Sequence, residues 1–119
     1  MYNVIKIGDE DVPMLAMASV DRYFYHVFHE DAMKAQLKAE DAADNINFVL
    51  RMGFIMAKFA ELKNSAEMRK LNEDSFDEWL AQFDRLDMIN ALPDMQATYN
   101  GQLVSKAEAK KNTDEQSES

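Results

Sequence analysis

Asn45-Ile46-Asn47-Phe48-Val49-Leu50-Arg51-Met52-Gly53-Phe54-Ile55-Met56-Ala57-Lys58-Phe59-Ala60-Glu61-Leu62 is the stretch on which the fold turns. Ile46, Val49, Leu50, Gly53, Ala57 and Ala60 fall on one face at helical spacing, and Phe48, Met52, Ile55, Phe59 and Leu62 fall on a second. A helix apolar over most of its circumference must be covered on several sides, so this one is expected to be central. Gly53 and Ala57, small residues one turn apart, allow another helix to approach closely. Asp44 offers an N-cap, and Lys63-Asn64-Ser65 closes the helix. Its most apolar part, Phe48 to Leu62, carries Arg51, Lys58 and Glu61 and is too short to span a bilayer.

Toward the N-terminus the period changes. Tyr2-Asn3-Val4-Ile5-Lys6-Ile7 is rich in strand formers, Gly8-Asp9-Glu10-Asp11 supplies turn chemistry, and Val12-Pro13-Met14 reads as a return strand that Pro13 limits to an edge. A β-hairpin over about residues 2–15 is expected. Val20, Tyr23, Phe24, Val27 and Phe28 then return to helical spacing, with Ser19 or Asp21 as cap. A short helix over Asp31 to Ala39 is expected to turn Met33 and Leu37 inward.

Toward the C-terminus, Ala66 to Leu71 reads as a short helix. Ser75-Phe76-Asp77-Glu78 has the form of a capping box opening a helix at Phe76, with Phe76, Trp79, Leu80 and Phe83 as its apolar stripe. Leu86, Ile89, Leu92, Met95 and Tyr99 continue into a last helix, expected to break or restart near Pro93. Large apolar residues stop after Val104, so residues 105–119 read as a polar, flexible tail. The fold class is mainly α: a short N-terminal β-hairpin, then a compact bundle of about five helices in a single domain over residues 1–104.

Composition narrows what such a domain does. Apolar residues make up 47% of the 119 and charged residues 29%, a globular balance. With no cysteine there is no disulfide, thiolate metal site or Cys nucleophile. Thirteen basic against 22 acidic residues leave a net charge of −9, a field that repels phosphate backbones and anionic membranes. No basic and apolar leader opens the sequence, which reads as a soluble cytosolic chain.

Catalysis finds no foothold. Phosphate-binding glycine loops, nucleophile elbows and zinc-protease motifs are missing from the sequence. His26 and His29 share a helix face three residues apart, as a metal pair requires, but the chain has only two histidines and the pattern reads better as a solvated face. Residues 73–94 hold seven acids against Arg85 alone, either a solvated face or a docking surface for a basic partner. The nine methionines fill irregular core gaps or make an adaptable groove for an amphipathic helix.

Four segments, in order, carry a family resemblance. They are Tyr2-Asn3-Val4-Ile5-Lys6-Ile7-Gly8 with Val12-Pro13-Met14, then Met52-Gly53-Phe54-Ile55-Met56-Ala57, then Ser75-Phe76-Asp77-Glu78-Trp79-Leu80-Ala81-Gln82-Phe83-Asp84, then the Lys110-Lys111-Asn112 tail. Together they span nearly the whole chain, and they resemble the tail assembly chaperones of siphophages and prophages of Gram-positive hosts. The resemblance implies a non-enzymatic protein of the host bacterial cytoplasm that needs no cofactor. It would bind the long, helical tape measure protein, keep it soluble, help recruit tail tube (major tail) subunits during virion assembly, and be absent from the mature virion. It also implies a longer frameshifted form as a partner, with Ala109-Lys110-Lys111 encoded by a slippery run, and self-association into a homo-oligomer is a further expectation.

Met52, Ile55, Met56 and Phe59, with Trp79 and Phe83, are the expected apolar anchors where that surface is open, and Asp77, Glu78 and Asp84 the expected steering charges. The same apolar residues fit a core equally well. Two other readings compete: an acidic helical decoy that blocks a basic, DNA-binding partner, and a small metal-dependent enzyme built on His26 and His29.

Overall fold

Tyr2–Ile7 (β1) and Glu10–Leu15 (β2) pair antiparallel in the computed structural model, which describes residues 1–104. Asn3, Ile5 and Ile7 point inward and Val4 and Lys6 outward, the period of two that a one-sided sheet requires. Gly8 opens the two-residue turn at φ 64°, a value that costs glycine little and other residues more. The expected flexible tail, 105–119, lies outside the described residues.

Six helices follow: Val20–Phe28 (α1), Ala32–Lys38 (α2), Ala42–Leu62 (α3), Ser65–Met68 (α4), Glu73–Leu80 (α5) and Arg85–Tyr99 (α6). The expected bundle is therefore present, and the short helix anticipated over residues 66–71 is the single turn α4. α3 is the central element. It packs against β2, α6, α1 and α5, and residues Met52 through Ala57 are all buried. Gly53 is needed where α6 crosses, because a Cβ there would fall on the Met95 sulfur.

Arg51 is the one cation in the buried middle of α3. Its guanidinium lies over the rings of Phe24 (5.1 Å) and Phe28 (5.4 Å) and pairs with Glu30 at 3.2 Å, so its charge is met by two π faces and a carboxylate. Aromatic contacts continue edge-on from Phe28 to Phe76 (5.1 Å) and tilted from Phe54 to Trp79 (5.8 Å), joining α1, α3 and α5 in one core.

Leu86, expected on the apolar stripe of α6, is 62% exposed while Met88, Ala91 and Thr98 turn inward, and four further boundaries or faces differ from expectation. α3 begins one turn early: Asp41, not Asp44, is the cap, its Oδ1 accepting from the Asp44 N–H at 2.8 Å, because Ala42-Ala43 extend the helix readily. α5 also begins early. Asn72 caps it, and Ser75 is the far half of the box, its Oγ accepting from the Asn72 N–H while Asn72 Oδ1 accepts from the Ser75 N–H. α6 runs unbroken through Pro93, held on both sides of the proline by buried Met88, Ala91, Met95 and Thr98. In α2, Met33 and Leu37 face solvent at 63% and 79% exposure, and Ala32 and Ala35 turn inward instead. The Asp31 side chain sets that phase by capping the Lys34 N–H at 2.9 Å.

Two polar links tie α6 and the residues after it to β1 and α1. Asn3, 2% exposed, donates from Nδ2 to Thr98 Oγ1 (2.8 Å) and to the Gln102 carbonyl (2.9 Å), and its Oδ1 accepts from the Val104 N–H (2.8 Å). The Tyr99 hydroxyl donates to Asp21 Oδ1 at 3.1 Å. Burial, followed by the Asp21 charge and this hydrogen bond, pushes the Tyr99 phenol up to about 12.

Candidate partner-binding groove

The local sequence between α5 and α6 sets the site. Phe76 and Trp79 anchor α5 on the core, which leaves Asp77 and Glu78 on its outer face. The chain then turns through Ala81-Gln82-Phe83, with the Gln82 and Phe83 amides donating back to the Trp79 and Leu80 carbonyls. Asp84 starts the next helix, its Oδ2 accepting from the Leu86 N–H at 3.0 Å and the Asp87 N–H at 3.4 Å. Phe83 is thereby held half-buried at the corner, edge-on to Trp79 at 5.3 Å.

On one side of Phe83 lies an open groove of about 300 Å³. Ile46 and Leu50 of α3, Leu80 of α5, and Met88 and Ile89 of α6 complete its walls, and Asp84 and Arg85 stand at its rim. Apart from those two charges the lining is apolar; Met88 belongs to the core, and Leu50, Leu80 and Phe83 pack against it. On the other side of Phe83 a second depression, about 350 Å³, runs between β2, α3 and α5 past Pro13 and Trp79, with the Lys58–Glu61 pair (3.1 Å) at its edge.

Of the expected anchors, Met52, Ile55 and Met56 are no more than 1% exposed, Trp79 is 4% and Phe59 8%. Their place is the core. The reason is that α3 has a neighbour on each side over its middle turns, so no apolar face there is left for a partner. Phe83 alone of the apolar set reaches the α3–α5–α6 groove; Trp79 borders the second depression and the edge of Phe59 a third, at the C-terminal end of α3. Asp77, Glu78 and Asp84 are exposed as expected, but Asp84 is also a helix cap, a role distinct from steering. None of the four ion pairs among the described residues involves Asp77, Glu78 or their neighbours Glu73 and Asp74.

Ile46, Leu50, Leu80 and Ile89 read from the sequence as apolar stripe and Met88 only as one of the methionines, with no signal that they meet in one groove. That signal is tertiary: it arises where α3 extends past the neighbours that cover its middle.

The histidines do not form a pair. His26 Nε2 donates to the Arg69 carbonyl at 2.7 Å, and His29 ends α1 in the left-handed conformation at φ 57°. Among the described residues no cluster of three or more His, Asp or Glu is arranged to hold a metal, and no helix is long and apolar enough to cross a membrane. Comparison with protein-family models, curated proteins and solved structures returned no match.

Proposed function

We propose that the protein is a tail assembly chaperone that holds an amphipathic helical segment of a tape measure protein in the α3–α5–α6 groove. The observation that carries this reading is the groove itself: six apolar side chains from three elements around an open depression, beside an acidic helix face whose charges lack cationic partners among the described residues. An apolar trough with charge at its edge is the surface that helix-in-groove recognition uses. The segment resemblance to siphophage chaperones supplies the partner. In this reading the chain works without catalysis in the host cytoplasm, keeps the tape measure soluble, and yields to tail tube subunits as the tube polymerises. A frameshifted longer form and self-association belong to the same proposal.

Co-expression with the tape measure protein encoded downstream tests it. The expected result is a soluble tape measure that co-purifies with the chain and is lost with Leu50→Asp or Ile89→Asp, both half-buried groove positions. A tape measure that stays insoluble beside the native chain would overturn the proposal.

The unpaired acids of α5 favour a second reading, the decoy for a basic DNA-binding protein. The two separate cleanly: decoy binding falls with Asp77→Lys plus Glu78→Lys and is indifferent to the groove substitutions.

A further inference from the structure

At the opposite end of α3 from the α5–α6 corner lies a groove of another character. It measures about 480 Å³ and shares no lining residue with the apolar one. Arg22 of α1, Lys63 at the end of α3 and Arg69 at the end of α4 converge on it, over an apolar floor of Leu15, Met17 and the edge-on Tyr23–Phe59 pair (5.3 Å). No carboxylate lines it. Among the described residues none of the three cations has an acidic partner, and the nearest acids in sequence are engaged elsewhere: Asp21 by the Tyr99 hydroxyl, Glu67 by Lys70 at 3.0 Å.

In a chain of net charge −9, three unopposed cations around one depression are a local reversal of sign. Lys63 ends α3 at φ 52°, a left-handed C-cap position where glycine is favoured. Tyr23 is 9% exposed, its hydroxyl has no hydrogen bond, and no buried polar atom of the described residues is orphaned; the hydroxyl is therefore the part of the ring that opens to the groove. His26, bonded to the Arg69 carbonyl, fixes α4 against α1 and so sets the spacing of the cations.

We propose that this groove docks an acidic peptide segment bearing one bulky apolar side chain. Carboxylates would meet Arg22, Lys63 and Arg69, the Tyr23 hydroxyl would donate to a further peptide oxygen, and the apolar side chain would lie on Met17 and Phe59. The long-range negative field of the rest of the molecule disfavours a nucleic-acid strand, whereas a short acidic peptide of few charges is held by near contacts.

The test uses isotope-labelled full-length chain and the synthetic peptide Asp-Glu-Phe-Asp-Glu, with Asn-Gln-Phe-Asn-Gln, inorganic phosphate and a short single-stranded oligonucleotide as competitors. The expected result is a set of amide shifts at Met17, Arg22, Lys63 and Arg69 with the acidic peptide, roughly tenfold weaker binding at raised salt, and no comparable effect of the competitors. Lys63→Gly separates docking from folding: it relieves the left-handed strain, so thermal stability holds or rises while peptide affinity falls several-fold. Equal binding of the amide peptide, phosphate or oligonucleotide would overturn the proposal, as would shifts confined to the α3–α5–α6 groove or unchanged affinity in Lys63→Gly and Arg69→Gln.

Discussion

Asn3 occupies an inward position of β1 where its neighbours Ile5 and Ile7 are apolar, and it is tolerated because three hydrogen bonds satisfy its amide. Asn3→Ala is expected to cost about 1–3 kcal/mol in urea unfolding, since partners on α6 and beyond lose their bonds together. A loss near zero would mean water replaces them. Gly53 poses a contest between two effects. Alanine gains about 1 kcal/mol of helix propensity, but its Cβ meets the Met95 sulfur, and overpacking a tight site costs about 1–3 kcal/mol. We expect Gly53→Ala to destabilise, and to be partly rescued by Met95→Ala, which vacates the clash; additive losses would refute the contact. Tyr99 gives a pH dependence. Its phenol is raised to about 12 in the fold, above the value near 10 of an unfolded tyrosine, so the neutral form is the one the fold favours. Its contribution is complete below about pH 10 and is lost as pH climbs toward 12. Unfolding titrations over that window should show a shallower decline for Tyr99→Phe than for the native chain. Gly53 was legible in the sequence as a close-approach residue. Asn3 was not, because one polar residue in a strand gives no hint of a partner 95 positions away.

Among the elements, the hairpin and α3 were readable because period and turn chemistry agree in each. The misreadings occur where two local signals compete. In α2, Met33 and Leu37 outrank Ala32 and Ala35 in hydrophobicity, yet the small alanines pack inward and the long side chains are left outside. Methionine and leucine are expected there by apolarity alone; close approach selects alanine. Replacing both by Lys should leave unfolding free energy within about 0.5 kcal/mol of native, as at other exposed positions. In α6, proline chemistry favours a break, and tertiary packing on both flanks overrides it. Pro93 still lacks an N–H for the Ile89 carbonyl one turn back. Pro93→Ala restores that bond, and although it also frees the unfolded chain, a net gain of about 1 kcal/mol and a higher melting temperature are expected. The candidate groove was half legible: Phe83 and Asp84 were singled out, whereas Met52, Ile55, Met56, Phe59 and Trp79 went to the core. Periodicity shows that a face is apolar and is silent on what covers it.

Over the whole molecule, charge and apolar surface are arranged in sectors. Acids without cationic partners among the described residues line the outer face of α5, the apolar groove adjoins that face with Arg85 at its rim, and Arg22, Lys63 and Arg69 gather about α1, α3 and α4, while Lys34 and Lys38 lie apart on α2. The proposed chaperone function predicts that Asp77→Lys with Glu78→Lys slows tape measure capture and flattens its salt dependence with little change in fold stability. Unchanged capture rates would remove the steering role. Asp84 is unsuited to the same reversal, because its cap is worth about 1 kcal/mol on its own; Asp84→Asn keeps the cap and removes the charge. The Asn3 link has a last consequence, for the order of events during synthesis. Asn3 precedes Gln102 and Val104 by 99 and 101 positions, so a ribosome makes it well before them. Until those arrive, the amide of Asn3 has only solvent to bond, and the hairpin cannot settle on α6. The Asn3 amide is therefore among the last groups of the domain to find its partners.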